Sequence, residues 1–249
     1  MTKDIRKFNL IIVSGKAKTG NFIISINNAI IFCEIVRCKK LIIENKELIN
    51  HPIFYQKYNF TIEPFESNYA FNSIDKDSLN IHNFFFYHLN YRFLRNINRF
   101  HVFRNEILNN IPKIDTYSED LYIYIRSGDI FKKHNGSIIT YAQPPLCFYK
   151  KIIELFKFRE VFIISQDKLN PVIPLLIKNY SFIHYKKNKL VIDMSYLIYS
   201  YNLVSAKSSF FISLIKFNEK LKNLWEYDFY RLSERYVHLH HSVYAFPYN

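Results

Sequence analysis

Leu121-Tyr122-Ile123-Tyr124-Ile125-Arg126-Ser127-Gly128-Asp129 is the stretch on which the reading of this chain turns. A short apolar strand runs straight into an arginine, a serine, a glycine and an aspartate. The 249 residues contain four glycines: Gly15, Gly20, Gly128 and Gly136. In so glycine-poor a chain, a glycine directly after a strand marks a backbone that turns sharply or approaches a ligand closely. Arg126 then stands at the carboxyl end of the strand, the edge where open α/β sheets place their ligands. Its planar, permanently charged guanidinium suits bidentate recognition of phosphate oxygens. The competing reading is a structural Arg126 paired with Asp129 in a tight turn, and the segment alone leaves both open.

Working outward, strands and helices alternate on both sides. Towards the N-terminus, Phe8 to Val13 reads as a strand, Gly15 to Asn21 as a basic turn-rich loop, and Phe22, Ile26, Ala29, Ile30 and Cys33 fall at helical spacing. Leu41 to Ile43 returns to strand, which completes a βαβ unit and implies a parallel sheet covered by helices. Residues 51–120 are aromatic-rich and less periodic, with a helix expected around Phe100 to Ile111. Beyond Asp129, Pro144 and Pro145 introduce a helix through Leu146, Tyr149, Ile152 and Ile153, and Val161 to Ile164 is the next strand. Asn170 with Pro171 starts another helix. A helix from Asp193 then leads to a strand at Leu203 to Ser205, and Ser208-Ser209-Phe210 opens a further helix. The tail after Phe217 is expected to be helical. The expected fold class is α/β, compact, with two Rossmann-like halves, 1–118 and 119–249, and a cleft between them.

Composition narrows the function classes. Apolar residues make up 49% and charged ones 22%, the balance of a globular rather than a disordered chain. The formal charge of +13 favours nucleotides, nucleic acid, anionic glycans or headgroups as partners. The cations are spread along the chain without a block of like charge, which argues against a specific nucleic-acid role. Three cysteines, Cys33, Cys38 and Cys147, show no metal-ligand pairing and fit a reducing, cytoplasmic setting. His238, His240 and His241 read as a surface cluster rather than a metal site. The run Phe22 to Val36 is broken by Ser25, Asn27, Asn28 and Glu34, so no membrane span is expected, although peripheral membrane contact remains open. The first residues lack the apolar core of a signal peptide.

Several further segments carry candidate chemistry. Gly15 and Gly20 have P-loop separation, but Asn21 and Phe22 stand where lysine and a hydroxyl residue must reach phosphates and magnesium, so an ATPase is not expected. What remains is a basic loop feeding a helix N-terminus, which favours an anion, or else an ordinary βα turn. Asp75-Lys76-Asp77 has the spacing of a divalent-cation clamp, yet such acidic pairs are frequent by chance, and no metal is expected. Ser208 and Ser209 before a helix make a phosphate cradle without glycine, or a plain cap. Asp167 ends a strand on the same edge as Arg126 and suits a sugar or base hydroxyl, or a loop cap.

Taken in order, these segments resemble the fucosyltransferase-like glycosyltransferases of GT-B-type fold. Gly20-Asn21 opening a helix resembles that family's Gly-Asn-Gln segment, with Phe22 in place of the glutamine. Tyr124-Ile125-Arg126-Ser127-Gly128-Asp129 resembles its His-x-Arg-Arg-Gly-Asp pattern, with Tyr124 and Ser127 replacing the histidine and the second arginine. The segments Tyr141 to Tyr149 and Ile164 to Val172 resemble a subgroup pattern of the same family. Asp193 with Ser208-Ser209-Phe210 resembles the last nucleotide-binding motif. The resemblance implies a metal-independent, inverting glycosyltransferase with no cofactor, whose donor is a sugar nucleotide, GDP-fucose first, and whose acceptor is a glycan or other hydroxyl.

On that reading Arg126 binds the diphosphate and stabilises the charge it gains as the glycosidic bond breaks, which needs no metal. Gly20, Asn21, Ser208, Ser209 and Phe210 join it at the donor, and Asp167 and Asp193 hold nucleoside or sugar hydroxyls. Asp129 is the candidate base for the acceptor, although a carboxylate beside Arg126 suits a salt bridge better. The alternatives are a degenerate nucleotide- or glycan-binding module and a basic nucleic-acid-binding protein.

Overall fold

The computed structural model describes residues 10–14, 19–43, 52–64, 78–82, 99–131 and 143–227. The loop Gly15 to Lys18, Asp75, Asp77, Gly136, Tyr141, His238, His240 and His241 lie outside the described residues. The chain divides into two units, Met1–Asn110 and Ile111–Asn249, where a division after residue 118 was expected.

The first unit follows the expected βαβ start. Strand β1 (Leu10–Ser14) is followed by helix α1 (Thr19–Val36) and strand β2 (Lys40–Ile43). The aromatic middle, which lacks a clear period, contains β3 (Ile53–Tyr55), β4 (Phe60–Pro64) and β5 (Ser78–His82), and then helix α2 (Phe100–Asn109). The sheet order is β3-β4-β2-β1-β5. Every pairing is parallel except the edge pair β3–β4. Strand β1 lies between β2 and the edge strand β5, with Leu10 opposite both Lys40 and Ser78.

Helix α1 is long and apolar enough to cross a membrane, with 72% of its residues buried inside the protein, as in a core helix. Two of its interior polar side chains bond within the helix: Ser25 Oγ donates to the Asn21 carbonyl at 2.9 Å, and Asn27 Nδ2 to Asn28 Oδ1 at 3.1 Å. Arg99, at the start of α2, ties that helix to α1. Its Nε and Nη2 reach the two Glu34 oxygens at 2.5 and 2.8 Å, and its backbone N–H donates to Asn27 Oδ1 at 2.7 Å.

In the second unit the elements are β6 (Leu121–Tyr124), α3 (Leu146–Leu155), β7 (Val161–Ile164), α4 (Val172–Asn179), β8 (Ile183–Tyr185), α5 (Leu190–Tyr199), β9 (Asn202–Val204), α6 (Ser209–Leu214) and β10 (Asn223–Trp225). All five strands are parallel, in the order β10-β9-β6-β7-β8. The opening stretch therefore forms the central strand. It is apolar throughout because both of its faces are covered. Leu121 and Ile123 join a core with Tyr149, Ile152, Ile163 and Ile173. On the opposite face the Tyr122 ring stacks on Tyr196 of α5 at 5.3 Å and on Phe162 of β7 at 5.1 Å.

Asn170 caps α4 as expected, its Oδ1 accepting from the Val172 N–H at 3.0 Å. The expected helix after Phe217 is instead interrupted by β10, where Leu224 and Trp225 are buried against the edge of the sheet. The α/β class, with a mainly parallel sheet and helices, is what the sequence predicts, in each unit.

Candidate functional site

Strand order singles out one edge of the second sheet as the candidate site. Counted along the chain, the first strand of the second unit lies in the middle, the second and third run to one side, and the fourth and fifth to the other. The winding reverses between β6 and β9, and ligands of such sheets bind outside the carboxyl ends of the strands at that reversal. The loop after β6 carries Arg126, and the loop after β9 carries Ser208. Arg126 and Ser208 therefore flank the switch point. Tyr124, the last residue of β6 and two positions before Arg126, has its hydroxyl 3.5 Å from Ser208 Oγ. The Tyr124 ring also contacts Phe210 and Phe211, both at 5.7 Å between centroids. Tyr124, noted in the sequence only as a replacement for histidine, is thus the side chain that packs the end of β6 against the Ser208 segment.

The Arg126 loop is shaped from below. Gly128 has φ 69°, and a Cβ there would lie 2.4 Å from Gln166 Oε1. The backbone conformation accounts for the glycine, since an L side chain rarely adopts this φ. Ser127 Oγ donates to Asp167 Oδ1 and accepts from the Asn170 N–H at 2.9 Å. The same Asp167 oxygen accepts from the N–H groups of Gly128 at 3.1 Å and Leu169 at 3.0 Å. Asn170 Nδ2 closes the link by donating to the Arg126 carbonyl at 3.0 Å. Asp167 is therefore the carboxylate that builds this loop, and its Oδ1 is engaged inside the protein. The backbone of Asp129 enters a 3-10 turn, Gly128–Phe131, while its side chain lies outside what the structure describes.

Ser208 is buried and precedes α6, a helix of six residues; Ser209 and Phe210 are half-buried in its first turn. Asp193 lies in the first turn of α5, 8% exposed, where burial raises its pKa to about 6 against the one opposing contact, Asn188 Nδ2 at 3.1 Å. Gly20 and Asn21 belong to the first unit, where they open α1 after the carboxyl end of β1, Gly20 buried and Asn21 half-buried. Among the described residues no cluster of three or more metal-ligating side chains occurs.

Two features escape sequence reasoning. Glu226 follows β10, on the same edge; burial raises its pKa, while a hydrogen bond from Ser205 and the charge of Lys216 oppose the shift. A lone glutamate behind an unanticipated three-residue strand gives no pattern to read. The second is a groove of about 610 Å³ at β7 and β8, lined by Phe162, Lys168, His184, Tyr185, Lys186 and Asn188 among others. It borders the Asp193 turn through Asn188, and the Lys168 ammonium stands 4.8 Å over the Tyr185 ring. It follows from β8, a strand too short and too interrupted by His184 to be recognised as one.

No protein-family model matches the chain, and no curated protein matches it. The chain is similar to a crystal structure of TibC, a dodecameric iron-containing heptosyltransferase in complex with ADP-D-β-D-heptose, at 12% sequence identity and a TM-score of 0.44. The similarity covers 88% of this chain and 58% of that one, so this chain spans less than two thirds of the other protein's length. That protein is a glycosyltransferase, and a heptosyltransferase rather than a fucosyltransferase.

Proposed function

We propose that the protein is a sugar-nucleotide-dependent glycosyltransferase whose second unit holds the donor diphosphate at the β6–β9 switch point. The observation that carries this reading is the placement of Arg126 and Ser208 on the two loops that flank a topological reversal, with Tyr124 at the end of β6 beside Ser208. As the bond from sugar to phosphate breaks, negative charge grows on the departing diphosphate. The guanidinium of Arg126, with the hydroxyls of Ser208 and Ser209, would stabilise that charge without a metal ion. Asp193 is a buried carboxyl whose ionisation is disfavoured, and groups kept in such positions tend to serve a site rather than stability. It would accept hydrogen bonds from donor hydroxyls. For the acceptor proton there are two carboxyl candidates, Asp129 and Glu226. GDP-fucose is the first donor to try on sequence resemblance, and an ADP-linked heptose is the second.

The test is a panel of GDP-, ADP- and UDP-sugars, followed by thermal shift and by release of nucleotide with and without chelator. Arg126→Ala should lower turnover by about 10²-fold while the protein stays folded. Arg126→Lys should also be poor, because an ammonium cannot reproduce a bidentate fork. Folded Arg126→Ala with near-normal turnover would sink the proposed role, and strict dependence on manganese or magnesium would overturn the metal-free mechanism.

A second reading has one observation in its favour: Ser127, standing where the family pattern has a second arginine, is hydrogen-bonded to Asp167 and Asn170 within the loop. That favours a nucleotide-binding module without catalysis. Saturable GDP binding with no turnover across the donor panel would select it.

A further inference from the structure

The C-terminal end of α1 carries an arrangement unrelated to the diphosphate site. Arg37 adopts φ 52°, the Cys38 N–H donates to the Cys33 carbonyl at 2.9 Å, and the Arg37 N–H to the Glu34 carbonyl at 3.4 Å. These two bonds form a Schellman closure, in which the side chains of the first and last residues of the motif touch. That contact is usually between two hydrophobic residues. Here both are cysteines, 0% and 2% exposed, and both are free thiols. The thiols hydrogen-bond to one another, and Cys38 Sγ also donates to the Lys40 carbonyl at 2.9 Å. The closure brings the first and last residues of the motif together, and the two thiols lie within hydrogen-bonding reach of one another.

We propose that Cys33 and Cys38 are a redox-active pair that closes to a disulfide across the C-cap of α1 when the protein meets a peroxide. Cys38 reacts first. It lies beyond the last helical residue, between exposed Arg37 and Lys39, whereas Cys33 is enclosed within the helix. Its sulfur attacks one peroxide oxygen, the O–O bond breaks, and the departing hydroxide takes up a proton to leave as water. This gives a sulfenic acid on Cys38. Cys33, deeper in the helix and with its thiol pushed up by burial, acts as the resolving residue. Its sulfur attacks the Cys38 sulfur, the S–O bond breaks, and the hydroxide leaves with the Cys33 proton as a second water. Two thiols and one peroxide thus give one disulfide and two waters. The disulfide fixes the end of a core helix beside the Glu34–Arg99 ion pair, and so acts as an oxidation-sensitive lock on the first unit.

The exposed third cysteine, Cys147, is removed as Cys147→Ser so that it neither oxidises nor cross-links chains. The full chain carrying this substitution is treated with hydrogen peroxide, unfolded, alkylated with iodoacetamide and weighed. The expected result is loss of the mass of two hydrogens, no alkylation, a Cys33–Cys38 linkage on peptide mapping, and full reversal by dithiothreitol. Adding Cys33→Ser removes the resolving thiol, and Cys38 should then be trapped by dimedone as a sulfenic acid. Oxidation of the Cys147→Ser protein should also raise its Tm, an effect that vanishes when Cys38→Ser is added. Alkylation of both cysteines after peroxide treatment, or their conversion to sulfinic acids without a linkage, overturns the proposal. If Cys33→Ser does not fold, the linkage measured in the Cys147→Ser protein decides alone.

Discussion

At Asp193 a carboxyl group sits almost wholly out of water, with a single amide contact from Asn188 to favour its charge. Its pKa rises from 3.8 to about 6, so the folded protein holds this proton more tightly than the unfolded chain does. The contribution to stability is fully present below about pH 4 and is lost as pH rises through about 6. The ionised group then costs about 3 kcal/mol. Asp193→Asn keeps the oxygen that Asn188 meets and removes the charge. Thermal melts from pH 4 to pH 8 should therefore show the variant gaining on the parent as pH rises, with the curves converging in acid. If Asp193 also meets the donor, the same variant loses nucleotide binding as it gains stability. Parallel pH profiles for the two proteins would mean that Asp193 does not carry the buried charge assigned to it.

Between elements, the amino edge of the second sheet is held by side-chain amides. Asn202, at the start of β9, donates to the Ser118 carbonyl at 2.7 Å and the Asp120 carbonyl at 2.9 Å, and accepts from Asn223 of β10 at 2.8 Å. One side chain thus spans β6, β9 and β10. Beside it the buried Asp120 takes a bidentate contact from Arg159, both distances 2.9 Å, which joins the amino ends of β6 and β7. Asn202→Ala leaves the buried Asp120 carbonyl and the Asn223 amide without this partner, and should lower stability by about 1–3 kcal/mol. A lower urea midpoint at unchanged m-value is the expected result; an unchanged midpoint would show that the bridge contributes nothing.

These edges also mark what a sequence can disclose. Strands β1, β2, β6 and β7 are short apolar runs whose neighbours are helices of regular period, and that alternation is legible. Strands β3, β8 and β10, of three residues each, are not, because each is made by pairing with an existing edge rather than by its own pattern. The Arg126 loop was visible from its one glycine. Its wiring through Asp167 and Asn170 was not, since those bonds bridge residues about forty positions apart. Tyr124 and Glu226 acquire their roles from neighbouring strands, and no spacing announces them.

At the scale of the whole chain, both units place their first strand inside the sheet and reverse the winding beside it, between β1 and β5 in one and between β6 and β9 in the other. The sequences that do this share no repeat. What they share is an apolar first strand followed, after a loop, by a helix and a parallel neighbour.

Only one of the units can be seen by its light. The chain has a single tryptophan, and Trp225 lies in β10, 4% exposed, with Phe156 and Phe158 at 5.1 and 5.8 Å. Its indole N–H has no hydrogen-bond partner among the described residues. Emission from so apolar a setting should be blue-shifted and should move to the red only when the second unit opens. Far-ultraviolet dichroism, by contrast, sums both units. Arg99→Ala, which breaks the Glu34 pair in the first unit, should lower the dichroism midpoint in urea and leave the emission midpoint in place. Equal shifts in both signals would show that the two units melt as one. The lone indole therefore makes an unlabelled protein its own optical gauge of the unit that carries Arg126.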